Sequence, residues 1–141
     1  MSENQVKPLN WKYDPNIGYT AERRPDGGMN IRFTDISETT LKHWRNFSME
    51  HLLDSDRLTR NLYDLRAIKD IPQAAIDYAV EVNNDPSVRN IRLAVLVASE
   101  QVSHEVSQIS ALTTPGGVEM AIFHDLEAAE AWLARPLTLI V

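Results

Sequence analysis

The chain has 141 residues, 43% of them hydrophobic, enough for one ordinary domain with a buried core. It has no cysteine, so a disulfide framework, a thiolate nucleophile and a cysteine zinc site are all excluded. A net charge of -6 disfavours binding to nucleic acid or anionic lipid, and no apolar run is long enough to span a bilayer.

Residues 1–16 read as a flexible lead-in, of which only Trp11 and Tyr13 are expected to pack on the domain that follows at 17–141. Met1–Asn10 holds no apolar stretch of signal-peptide length, so the expected location is cytoplasmic. Gly18–Arg24 and Met29–Thr34 are short β-type segments joined by Pro25-Asp26-Gly27-Gly28, a turn signal because glycine tolerates positive φ; together they predict a hairpin. Asp35 and Glu38 have the spacing of a capping box. The helix they open is expected to run to about Leu53, burying Leu41, Trp44, Phe47, Ser48 and Leu52, with Asp54-Ser55-Asp56 ending it.

Arg57 to Leu65 predicts a strand centred on Leu58, Leu62 and Leu65. Pro72 starts the next helix, where a missing N–H costs nothing. Ala75, Ile76, Ala79 and Val80 form its buried stripe, and Asn83-Asn84-Asp85-Pro86 stops it. Ile91 to Ala98 is apolar on both faces apart from Arg92, the pattern of a central parallel strand covered on both sides. Ser99 caps a helix that buries Val102, Val106 and Ile109. After the loop Thr113–Gly117, Val118 to Phe123 is a strand. Asp125 caps a last helix with the stripe Ala128, Ala129, Trp132 and Leu133. Pro136 ends that helix. The apolar tail Leu137–Val141 is expected to add an edge strand, cover a sheet face or cross to a second subunit.

The predicted fold class is therefore α/β, a single domain in which an N-terminal β-hairpin precedes alternating helices and parallel strands with right-handed crossovers. Four stretches carry a family resemblance over roughly Gly18 to Arg135. They are the hairpin, the strand NLYDLR (Asn61 to Arg66) with its following loop and helix, the strand IRLAVLVAS, and the ending VEMAIFHDLEAAEAWLA. They resemble the anti-sigma-factor antagonist fold of STAS domains and, in the ending, its SpoIIAA-like subgroup. The resemblance implies a βα superhelix, regulatory or ligand-sensing roles, and no intrinsic catalysis or cofactor. One departure matters. Phosphoswitch members carry a Ser or Thr at the helix start after the strand ending in Asp-Leu. Here Asp64 to Pro72 reads DLRAIKDIP and holds no hydroxyl. Asp70 in this stretch is expected to cap the following helix.

Ligands of parallel sheets bind beyond the carboxyl ends of the strands. Those ends offer Asp64, Arg66, Ser99, Glu100, His124 and Asp125. Asp64, Ser99 and His124 form the candidate interaction site. A hydrolase reading of Ser, His and Asp competes with one in which Ser99 and Asp125 are caps, and no G-x-S-x-G elbow supports the former. His43, His51, His104 and His124 lack metal-ligand spacing and read as surface residues. Gly116-Gly117 precede a strand rather than a helix, so they do not cradle phosphate. Arg23-Arg24 with Arg57, Arg60 and Arg66 suggest a basic strip, but without interleaved aromatics no nucleic-acid partner is expected. Trp44, Phe47 and Trp132 either complete the core or line a candidate apolar pocket. Two functions follow: a non-enzymatic regulatory or protein-interaction module, whose partner is another protein or a second copy, and a carrier of a small apolar ligand.

Overall fold

The computed structural model describes residues 11–52, 58–114 and 117–136. The described residues form the strands β1 (Tyr19–Arg23), β2 (Met29–Phe33), β3 (Thr59–Asp64), β4 (Ile91–Leu96) and β5 (Val118–Phe123). The helices are α1 (Glu38–Leu52), α2 (Gln73–Asn83), α3 (Glu100–Leu112) and α4 (Leu126–Leu133). The strands lie side by side in sequence order, β1 antiparallel to β2 and the rest parallel. No helix among the described residues is long and apolar enough to cross a membrane.

The strand order decides where the helices go. When each parallel strand is laid beside the one before it, right-handed crossovers put every connecting helix on the same face. Accordingly α1, α2 and α3 share one large core with Tyr19, Ile31, Tyr63, Leu93 and Val95. The residues between these in the strands point the other way. There Leu62, Ala94 and Leu96 meet Ala129 and Leu133 of α4 in a second, much smaller core. Every residue of β4 is buried, as a strand covered on both faces must be.

Arginines complete the docking of α4. Arg24 is buried and donates to both Glu130 carboxylate oxygens at 3.0 and 2.8 Å. Arg60 Nε donates to the Leu133 carbonyl at 2.6 Å, and a guanidinium nitrogen of Arg92 to the Arg135 carbonyl at 2.7 Å. These carbonyls stand at the helix C-terminus, where backbone acceptors are orphaned and positive charge is favoured.

Several boundaries differ from expectation, each for a local reason. Asp35 is not the N-cap of α1. Ser37 holds that place, its carbonyl accepting from Leu41 N and its hydroxyl from Thr40 N, while Asp35 turns the preceding chain by accepting from Ser37 N at 3.0 Å. The buried Thr40 hydroxyl ties this turn to the hairpin by accepting from Gly18 N at 2.9 Å and donating to Asp35 at 2.9 Å. β3 starts at Thr59 rather than Arg57, and β4 ends at Leu96 rather than Ala98. Pro72 is the N-cap of α2, one position earlier than expected. Asp70 does not cap α2; it accepts instead from Gln101 of α3 at 2.9 Å. Trp11 packs on Tyr19 with ring centroids 4.7 Å apart, whereas Tyr13 is exposed. The Asp54-Ser55-Asp56 stop and the Leu137–Val141 tail lie outside the described residues.

Two glycines set the hairpin. Gly27 adopts φ 93°, the left-handed region open to glycine. Gly28 lies against β3, and a Cβ there would come within 1.5 Å of the Arg60 carbonyl oxygen. At Gly18 the nearest atoms a Cβ would meet belong to the Asp35 carboxyl, at 2.3 Å, a side chain that can turn away at the loss of its bonds to Ser37 and Thr40. Gly28→Ala is therefore expected to cost about 3 kcal/mol or more in urea unfolding, because backbone must move, and Gly18→Ala clearly less. Equal costs would show that β3 does not hold Gly28 this closely.

Candidate functional site

The carboxyl ends of β3, β4 and β5 carry the polar residues that the sequence singles out. Asp64 ends β3, and its carboxylate accepts from the Arg66 backbone N–H at 3.0 Å and from the Arg66 guanidinium at 3.1 and 2.9 Å. Burial alone would raise this carboxyl, but the Arg66 hydrogen bonds and the charges of Arg66 and Arg32 outweigh it and hold Asp64 below the usual carboxylate range. Ser99 is the N-cap of α3, its hydroxyl accepting from Val102 N at 3.2 Å. His124 lies 3.4 Å from Glu100, with both side chains well exposed. Asp125 caps α4 by accepting from Ala128 N at 3.1 Å.

The three candidates are thus spread over three strand ends, each with its own local partner. Among the described residues no hydrogen bond joins Asp64, Ser99 and His124, so the geometry assembles no nucleophile–base pair from them. Among the same residues no group of His, Cys, Asp and Glu has the arrangement to hold a metal ion. His43 bonds the Tyr19 hydroxyl through Nδ1 at 2.7 Å, and burial pushes that hydroxyl's pKa well up. His51 Nδ1 lies 2.9 Å from the Phe47 carbonyl. Neither of these two histidines is the free surface residue that the sequence suggests.

The apolar pocket is corrected by the sheet. Trp44 lines a cavity of about 70 Å³ between the sheet and α1, α2 and α3, together with Phe33, Tyr63, Val106 and Met120. Its Nε1 donates to the Tyr63 hydroxyl at 3.3 Å. Phe47 is buried but is not part of the lining; it packs on Trp11, ring centroids 5.8 Å apart. Trp132 belongs to the other face of the sheet, against Phe123 at 5.6 Å and under the guanidiniums of Arg92 and Arg135. Helical spacing put these aromatics on inward faces, but it carries no information about which side of the sheet each helix covers.

A different concavity opens where α4 stops covering the sheet. It measures about 290 Å³ and is lined by Thr20, Glu22, Asn30, Arg32, Leu62, Asp64, Arg66, Leu126 and Glu130. Arg32, Asp64 and Arg66 gather at the carboxyl ends of β2 and β3, while Glu22 pairs with Asn30 further down the sheet. Beyond the Asp64–Arg66 and Arg24–Glu130 pairs, Arg32 leaves the groove basic at one end and Glu22 leaves it acidic at the other. Of its lining, the sequence reading picked out Asp64 and Arg66. The missed signal was the alternation in the hairpin, where Thr20 and Glu22 interleave with Tyr19 and Ala21, and Asn30 and Arg32 with Met29 and Ile31.

Two outcomes test these assignments. Ser99→Ala and Asp125→Ala are each expected to lower stability by about 1 kcal/mol, the usual worth of a cap, read from the denaturant midpoint. Because Asp64 is held below its ordinary value, its contribution is present at neutral pH and fades as the pH falls through and below the usual carboxylate range. Melting curves on Asp64→Asn should therefore show a flatter loss of stability in acid than the wild type.

No protein-family model matches the chain, and no curated protein does either. Among solved structures it is similar to an uncharacterized protein from the DUF3478 family with a SpoIIAA-like fold, from Shewanella loihica PV-4. The TM-score is 0.61 at 15% sequence identity, over 88% of this chain and 100% of that one. The hairpin, the sequential parallel strands and the helices of this chain form a SpoIIAA-like fold.

Proposed function

We propose that this protein is a cytoplasmic, non-enzymatic protein-interaction module of a regulatory kind, and that it grips a partner through the groove beside α4. The observation that carries this reading is the part of the sheet's second face that no helix among the described residues covers. Three helices shield the first face, whereas α4 reaches only part of the second. What stays open is polar at alternate positions, so it is adapted to contact rather than to burial in its own core. The charge separation along the groove and the exposed Leu126 at its rim fit an extended segment of another protein, acidic at one end, basic at the other, with an apolar side chain between. The stretch from Asp64 to Pro72 holds no hydroxyl, so a phosphoserine switch there is not part of the reading.

The carrier reading has less support. The apolar cavity beside Trp44, at about 70 Å³, falls far short of the several hundred Å³ that a drug-sized ligand occupies. The larger hollow of about 510 Å³ between α1 and α2 is lined by Glu38, Asp77 and Glu81 as well as by apolar residues, which does not suit an apolar ligand.

Arg32 and Leu126 are exposed, so Arg32→Glu with Leu126→Glu should leave the fold intact. The prediction is that a protein retained by the tagged wild type is lost by this double variant, and that the purified pair reproduces the difference with at least a tenfold weaker Kd. Identical partners on both baits would refute the groove as the docking site.

A further inference from the structure

The two edges of the sheet are protected differently. β1 is sheltered: Tyr19 is 1% and Ala21 6% exposed, and Trp11 packs over the former. β5 is more open. Val118 at its start is 8% exposed, but Met120, Ala121, Ile122 and Phe123 are only half-buried, and no strand lies beyond them among the described residues.

The hydrogen-bond phase of β5 follows from its partners. Ile91 N donates to the Gly117 carbonyl and Val97 N to the Phe123 carbonyl, so in a parallel ladder Gly117, Glu119, Ala121 and Phe123 face β4. Val118, Met120 and Ile122 then direct both N–H and C=O outward. Edges of this kind are normally blunted by proline, lysine, a bulge or an inward-pointing charge. β5, reading VEMAIF, has none of these, and its single charge, Glu119, is drawn onto Arg92 at 2.9 Å.

We infer that β5 is a self-association edge, on which a second copy of this chain pairs antiparallel about a two-fold axis at Met120. In that register Val118 faces the second copy's Ile122, and Met120 faces its own counterpart. Each of these pairs exchanges both backbone groups. Glu119 falls opposite the second copy's Ala121, and its own counterpart lies on the diagonal, where Arg92 and Arg135 of each copy neutralise it. The strand is thus complementary to itself in hydrogen bonding, with its single charge already balanced. Head-to-tail addition through β1 would build an open filament, and the cover over Tyr19 opposes it. The inference is independent of the groove beside α4, which involves other residues.

Sedimentation of the full chain over a range of concentrations, with hydrogen exchange followed by NMR, tests it. A 16.0 kDa chain should pass to twice that mass as concentration rises. The amides of Val118, Met120 and Ile122 should gain protection in the same range. Met120→Pro removes an outward N–H that β4 does not use, so it should keep the monomer's circular dichroism and weaken dimerisation at least tenfold. Three results would overturn the inference: a wild type that stays at the monomer mass, a dimer whose three amides exchange as fast as in the monomer, or a folded Met120→Pro that dimerises unchanged. If Met120→Pro does not fold, the wild-type exchange data decide alone.

Discussion

Helix α4 is held to the sheet by Arg24, Arg60 and Arg92 as much as by its apolar face. Only Ala129 and Leu133 are buried, against Leu62, Ala94 and Leu96. Full burial of a leucine-sized side chain is worth roughly 2–3 kcal/mol, so two such positions, one of them alanine, are a weak anchor for eight residues. The arginines supply the remainder where a helix most needs it. Arg60 and Arg92 satisfy carbonyls at its C-terminus, and Arg24 fixes Glu130 on its flank. Arg92 also lies over the Trp132 ring, 5.7 Å from its centroid, so one buried guanidinium neutralises Glu119, satisfies a carbonyl and covers an aromatic face. Such a group is costly to bury without its partners, which makes the position of α4 well defined.

That position sets what the second face of the sheet can do. A longer helix, or a second one, would cover β1 and β2 and demand apolar residues there. With α4 confined to β3, β4 and β5, the hairpin is free to be apolar toward α1 and polar toward solvent. Thr20, Glu22, Asn30 and Arg32 are the result. The groove is a consequence of how little α4 covers, and its charge pattern is written by the strands rather than by a loop.

Much of the fold was legible in the sequence, because periodicity and capping are local. IRLAVLVA announced a strand covered on both sides, and Ser99 and Asp125 announced helix starts. The site was less legible, because it depends on which face each helix takes. Trp44 and Trp132 look alike on a helical wheel, yet a sheet stands between them. The arginines were harder still. Arg24 and Arg60 resemble parts of a basic surface strip when read in order, and only the approach of α4 shows that one is buried and the other spends its donors on carbonyls. Long-range partners of this kind leave no local pattern. Arg24 and Glu130 are 106 residues apart.

The same logic separates the two sheet edges. An edge strand is safe when something occupies its outward groups, and among the described residues Trp11 packs near β1 while the parallel series stops at β5. Adding strands one after another in sequence order always leaves the last strand without a successor. In β5 the outward-facing residues are Val118, Met120 and Ile122, whose side chains also line the larger core. A charge placed on them to blunt the edge would be forced toward that core and would destabilise the monomer. The constraint that buries these side chains is therefore the one that keeps charge off the edge, and pairing through the backbone satisfies both at once.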